Sequence, residues 1–233
     1  MKPFIFEQRN GIHIVDLAKT ADLLQEACEF LRKTTLKGGK ILWVGTKKQA
    51  QESIREAAAS TQMFSVTERW VGGTLTNLVT IRRSVKRLLY IVDLEKTGEI
   101  NKMPKKEVSS LRREAARLHK NLDGIVGMER HPAAMVVIDI KREDNAVHEA
   151  NRLHIPVVAI VDTNCNPDLV QYPVPSNDDA VRAIKLIIQS LTEPVVEAMV
   201  ELGTSLPVPA QPAPAPAPAP AEAAPAPEPP PVA

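Results

Sequence analysis

Only two cysteines, Cys28 and Cys165, occur in 233 residues, and they form no CxxC pair. That excludes a disulfide-stapled scaffold and a cysteine-built structural zinc site, and it suits a reducing compartment. No apolar run approaches the ~18 residues that span a bilayer, and no signal peptide is visible, so a cytoplasmic protein is expected. The chain contains neither a P-loop (GxxxxGK followed by Ser or Thr) nor the dinucleotide fingerprint GxGxxG. Charge of one sign is also missing: 29 Lys and Arg stand against 28 Asp and Glu, a formal net charge of +1. Bulk charge therefore announces no nucleic acid, and the distribution along the chain has to decide. Neither a cofactor nor a metal is expected.

Proline is plentiful but badly spread. Twelve of the 20 prolines lie from Pro207 onward, in a run from Thr204 to Ala233 that is nearly all Ala and Pro. Such a segment favours extended polyproline II and buries no core, so residues 204–233 are expected to be a disordered tail.

The preceding residues alternate strand and helix signals. Asn10-Gly11 between the apolar runs Phe4–Phe6 and Ile12–Leu17 signals a hairpin. Leu23, Leu24, Ala27, Phe30 and Leu31 line one face of a helix over 19–36, with Cys28 beside that face as a small buried hydrophobe. Ile41–Val44, Met135–Ile140 and Ile155–Val161 are nearly continuous apolar runs, as in strands buried on both faces. Gly45-Thr46-Lys47-Lys48 turns from the first of these into a helix ending near Ser60, and such a turn can present amides and lysines to a phosphate. Val66–Val71 alternates as a half-buried strand does, Gly72-Gly73 breaks it, and Thr74 is a candidate N-cap for the helix that follows. Asn145–His154 is expected to be a short helix, and Ser176–Asp179 to cap a last helix over 180–202 that Pro194 kinks or splits.

Between the two halves of this α/β pattern lies a charged insertion. Leu75, Leu78, Arg82, Val85, Leu89 and Val92 form one heptad seam, and Val108, Leu111, Ala115, Leu118, Leu122 and Ile125 a second, joined by a loop at Thr97–Pro104. Together they predict an antiparallel coiled coil. From Arg82 to Lys120, twelve basic residues face five acidic ones. Positive charge is thus concentrated in the insertion while the remainder is net acidic, the pattern of a phosphate-contact surface. The expected organisation is a parallel sheet with helices on both faces over 1–73 and 126–203, the coiled-coil hairpin over 74–125, and the tail over 204–233. Residues alone leave two other readings open. One is an α/β nucleotide-binding enzyme using Gly45–Lys48 and Cys165 with His131, His148 or His154 as base; the other is a coiled-coil adaptor that binds proteins only.

Several stretches resemble, in order, the ribosomal protein S2 family of the bacterial small subunit. They are Phe4-Ile5-Phe6 through Arg9–Leu17, Val44–Ala50, Arg69–Asn77, Arg112-Arg113-Glu114 with Lys120-Asn121-Leu122, and Val161–Pro167. The resemblance implies a flavodoxin-like body with a protruding coiled coil. It also implies binding to small-subunit rRNA and to neighbouring ribosomal proteins, a role in tethering ribosomal protein S1, and no catalysis. Carried onto this chain, phosphate contact falls to Lys47, Lys48, Arg69, Arg82, Arg83, Lys86, Arg87, Lys105, Lys106, Arg112 and Arg113, with Trp70 either stacking on a base or buried at the sheet edge. Two departures stand out. The family's usual His-, Arg- and Trp-rich opening segment is absent before Met1, which implies an internal methionine taken as the start or a truncated form. The Ala/Pro tail is not a general family feature.

Overall fold

A computed structural model describes residues 1–203; the expected tail lies outside the described residues. Strands β1 (Ile5–Arg9) and β2 (Ile12–Val15) pair antiparallel around Asn10 and Gly11, whose φ values of 51° and 80° are those of a type I′ hairpin turn. Asp16 then caps α1 (Leu17–Leu36), its carboxylate accepting from the Ala18 amide at 3.2 Å.

The body is a five-stranded, all-parallel sheet ordered β4-β3-β5-β6-β7: β3 is Ile41–Val44, β4 Phe64–Val66, β5 Ala134–Ile138, β6 Val157–Val161 and β7 Tyr172–Pro175. Every residue of β3, β5 and β6 is buried, and strand alternation sends them to two cores. On one face Ile41, Trp43, Val136 and Ile160 pack with α1, α2 (Lys48–Thr61) and α6 (Val181–Glu201). On the other, Leu42, Val44, Met135 and Val137 pack with α5 (Asp144–Arg152) and the root of the helical hairpin formed by α3 (Leu78–Lys96) and α4 (Lys105–Leu122). The sheet with helices on both faces is as expected.

Five local expectations are corrected. Ser176–Asp179 does not cap α6, whose N-cap is Ala180 with no side-chain cap bond. The alternation over Val66–Val71 does not make a strand: β4 stops at Val66, and residues 67–77 are turns and irregular chain. Thr74 is not the helix cap. Its hydroxyl donates to the Val71 carbonyl (2.5 Å), and Asn77 caps α3 instead, accepting from the Thr80 amide at 3.4 Å. The α3 seam is Ile81, Val85, Leu88, Ile91 and Leu94, while Arg82 and Leu89 face outward, since a competing stripe without a charged member exists one position away. The α4 seam is as expected, with Leu111 and Leu122 buried. Pro194 does not split α6, which runs unbroken from Val181 to Glu201. A proline at 194 cannot donate to the Ser190 carbonyl. The Cys28 thiol donates to it instead, at 3.2 Å. Burial, with the Glu193 charge adding, pushes the Cys28 thiol pKa up and keeps that proton in place.

Strand β7 was not evident in the sequence because it holds two prolines. Val174 pairs with Ile160 on β6, and Ser176 donates to Val161 at 3.1 Å. Pro173 and Pro175 alternate with these positions, so their missing N–H groups face the open edge, where no ladder bond is lost. The Pro175 carbonyl on that side accepts from the Thr20 hydroxyl of α1 at 2.7 Å.

Candidate nucleic-acid interface

In an open parallel sheet, ligands enter beyond the carboxyl ends of the strands, where the strand order reverses. Here β3 has β4 on one side and β5 on the other, so the reversal lies between β3 and β5. The chain itself fills that crevice. The Thr46 amide and hydroxyl donate to one oxygen of Glu143 (2.9 and 2.6 Å), and Arg142 Nε donates to the same hydroxyl at 2.9 Å. Lys47 Nζ reaches Asp178 at 2.8 Å, Asp179 at 2.6 Å and Asp139 at 3.6 Å. Burial opposes the lysine's charge, but the hydrogen bonds to Asp178 and Asp179 outweigh it and hold its pKa well above the ordinary range. Burial also raises the Asp178 pKa, Lys47 opposes this, and the charges of Asp139 and Asp162 add to it. Asp162, Asp178 and Asp179 bring carboxylate oxygens within 4.8 Å of one another, and Asp178 Oδ2 is buried with no hydrogen-bond partner among the described residues. Two of these three carboxylates already hold the Lys47 ammonium.

A second turn is closed the same way. Glu149 of α5 accepts from Trp70 Nε1 (3.0 Å) and from the amides of Gly73 (2.8 Å), Leu75 (2.9 Å) and Thr76 (3.0 Å). Gly73 sits at φ 87°, a conformation that suits glycine, and this turns its amide toward the carboxylate. Burial pushes the Glu149 pKa up, but the bonds from Thr76, Trp70, Gly73 and Leu75 outweigh it and hold the carboxyl below its usual range. Nothing local in the sequence marks Glu149; only the packing of α5 against the Arg69–Asn77 turn brings it there.

The helical hairpin treats charge differently. Arg82, Arg83 and Lys86 are exposed on α3, as are Lys105, Lys106 and Arg113 on α4. None has an acidic partner within 4.0 Å among the described residues. Two other cations are pinned across the hairpin. Arg87 donates to Glu114 through Nε and Nη2, both at 3.1 Å, and Arg112 Nε donates to Glu95 at 3.1 Å. A shallow cleft lined by Met103, Lys105, Val108, Arg112 and Arg113 runs along the second arm.

A family model described as Ribosomal protein S2 matches residues 1–198. Over 197 residues the chain is 51% identical to small ribosomal subunit protein uS2c of Guillardia theta, covering 84% of both chains. It is 49% identical over 197 residues to small ribosomal subunit protein uS2 of Solidesulfovibrio magneticus, covering 84% of this chain and 76% of that one. The chain belongs to the ribosomal protein S2 family. Membership in the S2 family indicates a structural protein of the small ribosomal subunit rather than an enzyme.

The turn on which a nucleotide-binding reading depends is lined by Asp139, Glu143, Asp178 and Asp179, a setting that repels phosphate. The Cys165 thiol donates to Asn164 at 2.9 Å, and burial, the largest influence, pushes its pKa up. The cavity beside it is lined by Ile140, Lys141, Asp144, Asn164, Asn166 and Leu169, with no histidine. Two of the expected RNA contacts change character. Lys47 is committed to internal carboxylates, and Trp70 is only 9% exposed with its indole bound to Glu149, so it belongs to the core. Lys48 and Arg69 remain exposed, Arg69 beside a cleft shared with Trp70 and Arg142. No helix among the described residues is long and apolar enough to cross a membrane.

Proposed function

We propose that this chain is a ribosome-bound structural component of the small subunit that grips rRNA through the outer faces of the α3–α4 hairpin. The observation that carries this reading is the set of exposed cations at Arg82, Arg83, Lys86, Lys105, Lys106 and Arg113, which meet no acidic partner among the described residues. Each such cation can neutralise one phosphate and release its counter-ion, so binding weakens as salt rises. Lys48 and Arg69 extend the surface onto the body, and Arg87 and Arg112 contribute where their glutamate partners leave donors free. Neighbouring small-subunit proteins, ribosomal protein S1 among them, take the remaining surface. The exposed apolar side chains Phe6, Ile12 and Leu17 at the β1–β2 hairpin and the start of α1 suit such a contact. Domain limits of 1–73 with 126–203 for the body and 74–125 for the hairpin are part of this proposal.

The test is sucrose-gradient sedimentation of lysates in which the chain carries Arg82→Glu, Arg83→Glu and Lys86→Glu. The wild-type chain is expected in the small-subunit fractions and the variant at the top of the gradient. Equal incorporation of the two would overturn the assignment.

A further inference from the structure

One side chain on the hairpin is not explained by phosphate contact. Tyr90 of α3 is 52% exposed, although the seam beside it is fully occupied by Leu88, Ile91 and Leu94. It lies four residues after Lys86 and seven after Arg83, so helix geometry sets the three along one stripe. A cation lies over one side of the ring. The Arg87 guanidinium carbon sits 5.8 Å from the ring centroid, and both bonds from Arg87 to Glu114 of α4 fix the guanidinium there. The ring therefore has beside it a cation tied to the opposite helix, and about half of the residue's surface is open to solvent. Phosphate contact needs no such group. An aromatic ring among cations matches a nucleotide that offers both a phosphate and a base face.

We propose that Tyr90 is a stacking platform for an unpaired RNA base, with Arg83 and Lys86 on the flanking phosphates. The inference rests on the reading that the hairpin binds rRNA, and it narrows the ligand from rRNA in general to a bulge or loop. In a continuous A-form duplex the base faces are stacked on one another and out of reach of a side chain. The guanidinium on one side and the RNA base on the other would enclose the tyrosine ring as the middle layer of a stack.

The test uses the purified full chain and two short RNA duplexes, one perfectly paired and one carrying a single unpaired 2-aminopurine. The wild-type chain is expected to quench the 2-aminopurine and to bind that RNA about 5- to 150-fold more tightly than the paired one, the range for one stacked base. Tyr90→Ala should lose both the quench and the preference, whereas Tyr90→Phe keeps both. The salt dependence of Tyr90→Ala binding should match wild type, because no phosphate contact is removed. A Tyr90→Ala chain that still prefers and quenches the bulged RNA overturns the platform and leaves the hairpin's RNA role standing. A wild-type chain that binds neither RNA at low salt overturns both. Should Tyr90→Ala bind both RNAs as wild type does and yet fail to enter small subunits, the ring holds a protein and the platform is wrong.

Discussion

Beyond the strand ends, Lys47 meets three carboxylates within 3.6 Å, whereas along α3 Arg82, Arg83 and Lys86 meet none within 4.0 Å among the described residues. Both regions gather charge on turns or helices that could face a ligand. In the first, the fold supplies the counter-charges itself. Glu143 occupies the turn after β3 and Glu149 the turn before α3, the two places where backbone amides would otherwise receive an anion. In the second, Arg82, Arg83 and Lys86 have no acidic partner among the described residues, although Arg87 and Arg112 do. Side chains held within the fold contribute to its stability, and side chains left without partners are available to bind something else. The sheet end of this molecule is therefore structural, while the hairpin keeps cations available for the RNA contact proposed above.

Substitutions at the strand ends should lower stability most. Lys47→Met leaves the buried Asp178 without its cation and should cost about 3 kcal/mol, read as a lower urea midpoint. Adding Asp178→Asn should restore part of the loss, because the unpaired charge is gone. A smaller effect, about 2 kcal/mol, is expected for Glu149→Gln, which weakens the acceptor of four N–H donors. Its pH signature is specific. A carboxyl held below its usual pKa contributes stability that is fully present above the unfolded value of about 4.3 and is lost as pH falls through the lower folded value. Acid unfolding should therefore flatten below about pH 4 in Glu149→Gln relative to wild type. The hairpin should show the smallest change. Arg82→Gln, Arg83→Gln and Lys86→Gln together should shift stability by less than about 0.5 kcal/mol each, as expected for exposed side chains without partners. A large loss there would mean that these cations serve the fold and would erase the contrast.

How far the sequence foretold this contrast depends on the range over which each signal acts. The apolar runs of β3, β5 and β6 are strand-length and buried on both faces, so composition alone reveals them. The α4 seam reads cleanly because Leu111, Leu118 and Leu122 have no rival stripe on their helix. On α3 two stripes share Val85, and burial settles in favour of Ile81 and Leu88 over Arg82 and Leu89. Strand β7 hides behind Pro173 and Pro175, whose tolerance depends on an edge position that a sequence does not display. The basic residues of the hairpin were evident as a local excess of charge. The commitments of Lys47 and Trp70 were not, since their partners Asp178 and Glu149 lie 131 and 79 residues away. Long-range pairing, rather than residue type, decides which cations remain free.

The most direct measurement is the affinity of the purified chain for protein-free small-subunit rRNA across a range of salt concentrations. Each phosphate neutralised contributes about 0.7 to 0.9 to the slope of log affinity against log salt. Arg82→Gln, Arg83→Gln and Lys86→Gln together are expected to make that slope shallower by about 2 to 3, with the urea midpoint unchanged. An unchanged slope and affinity in that triple variant would contradict it, because the phosphate contacts would then lie elsewhere on the molecule.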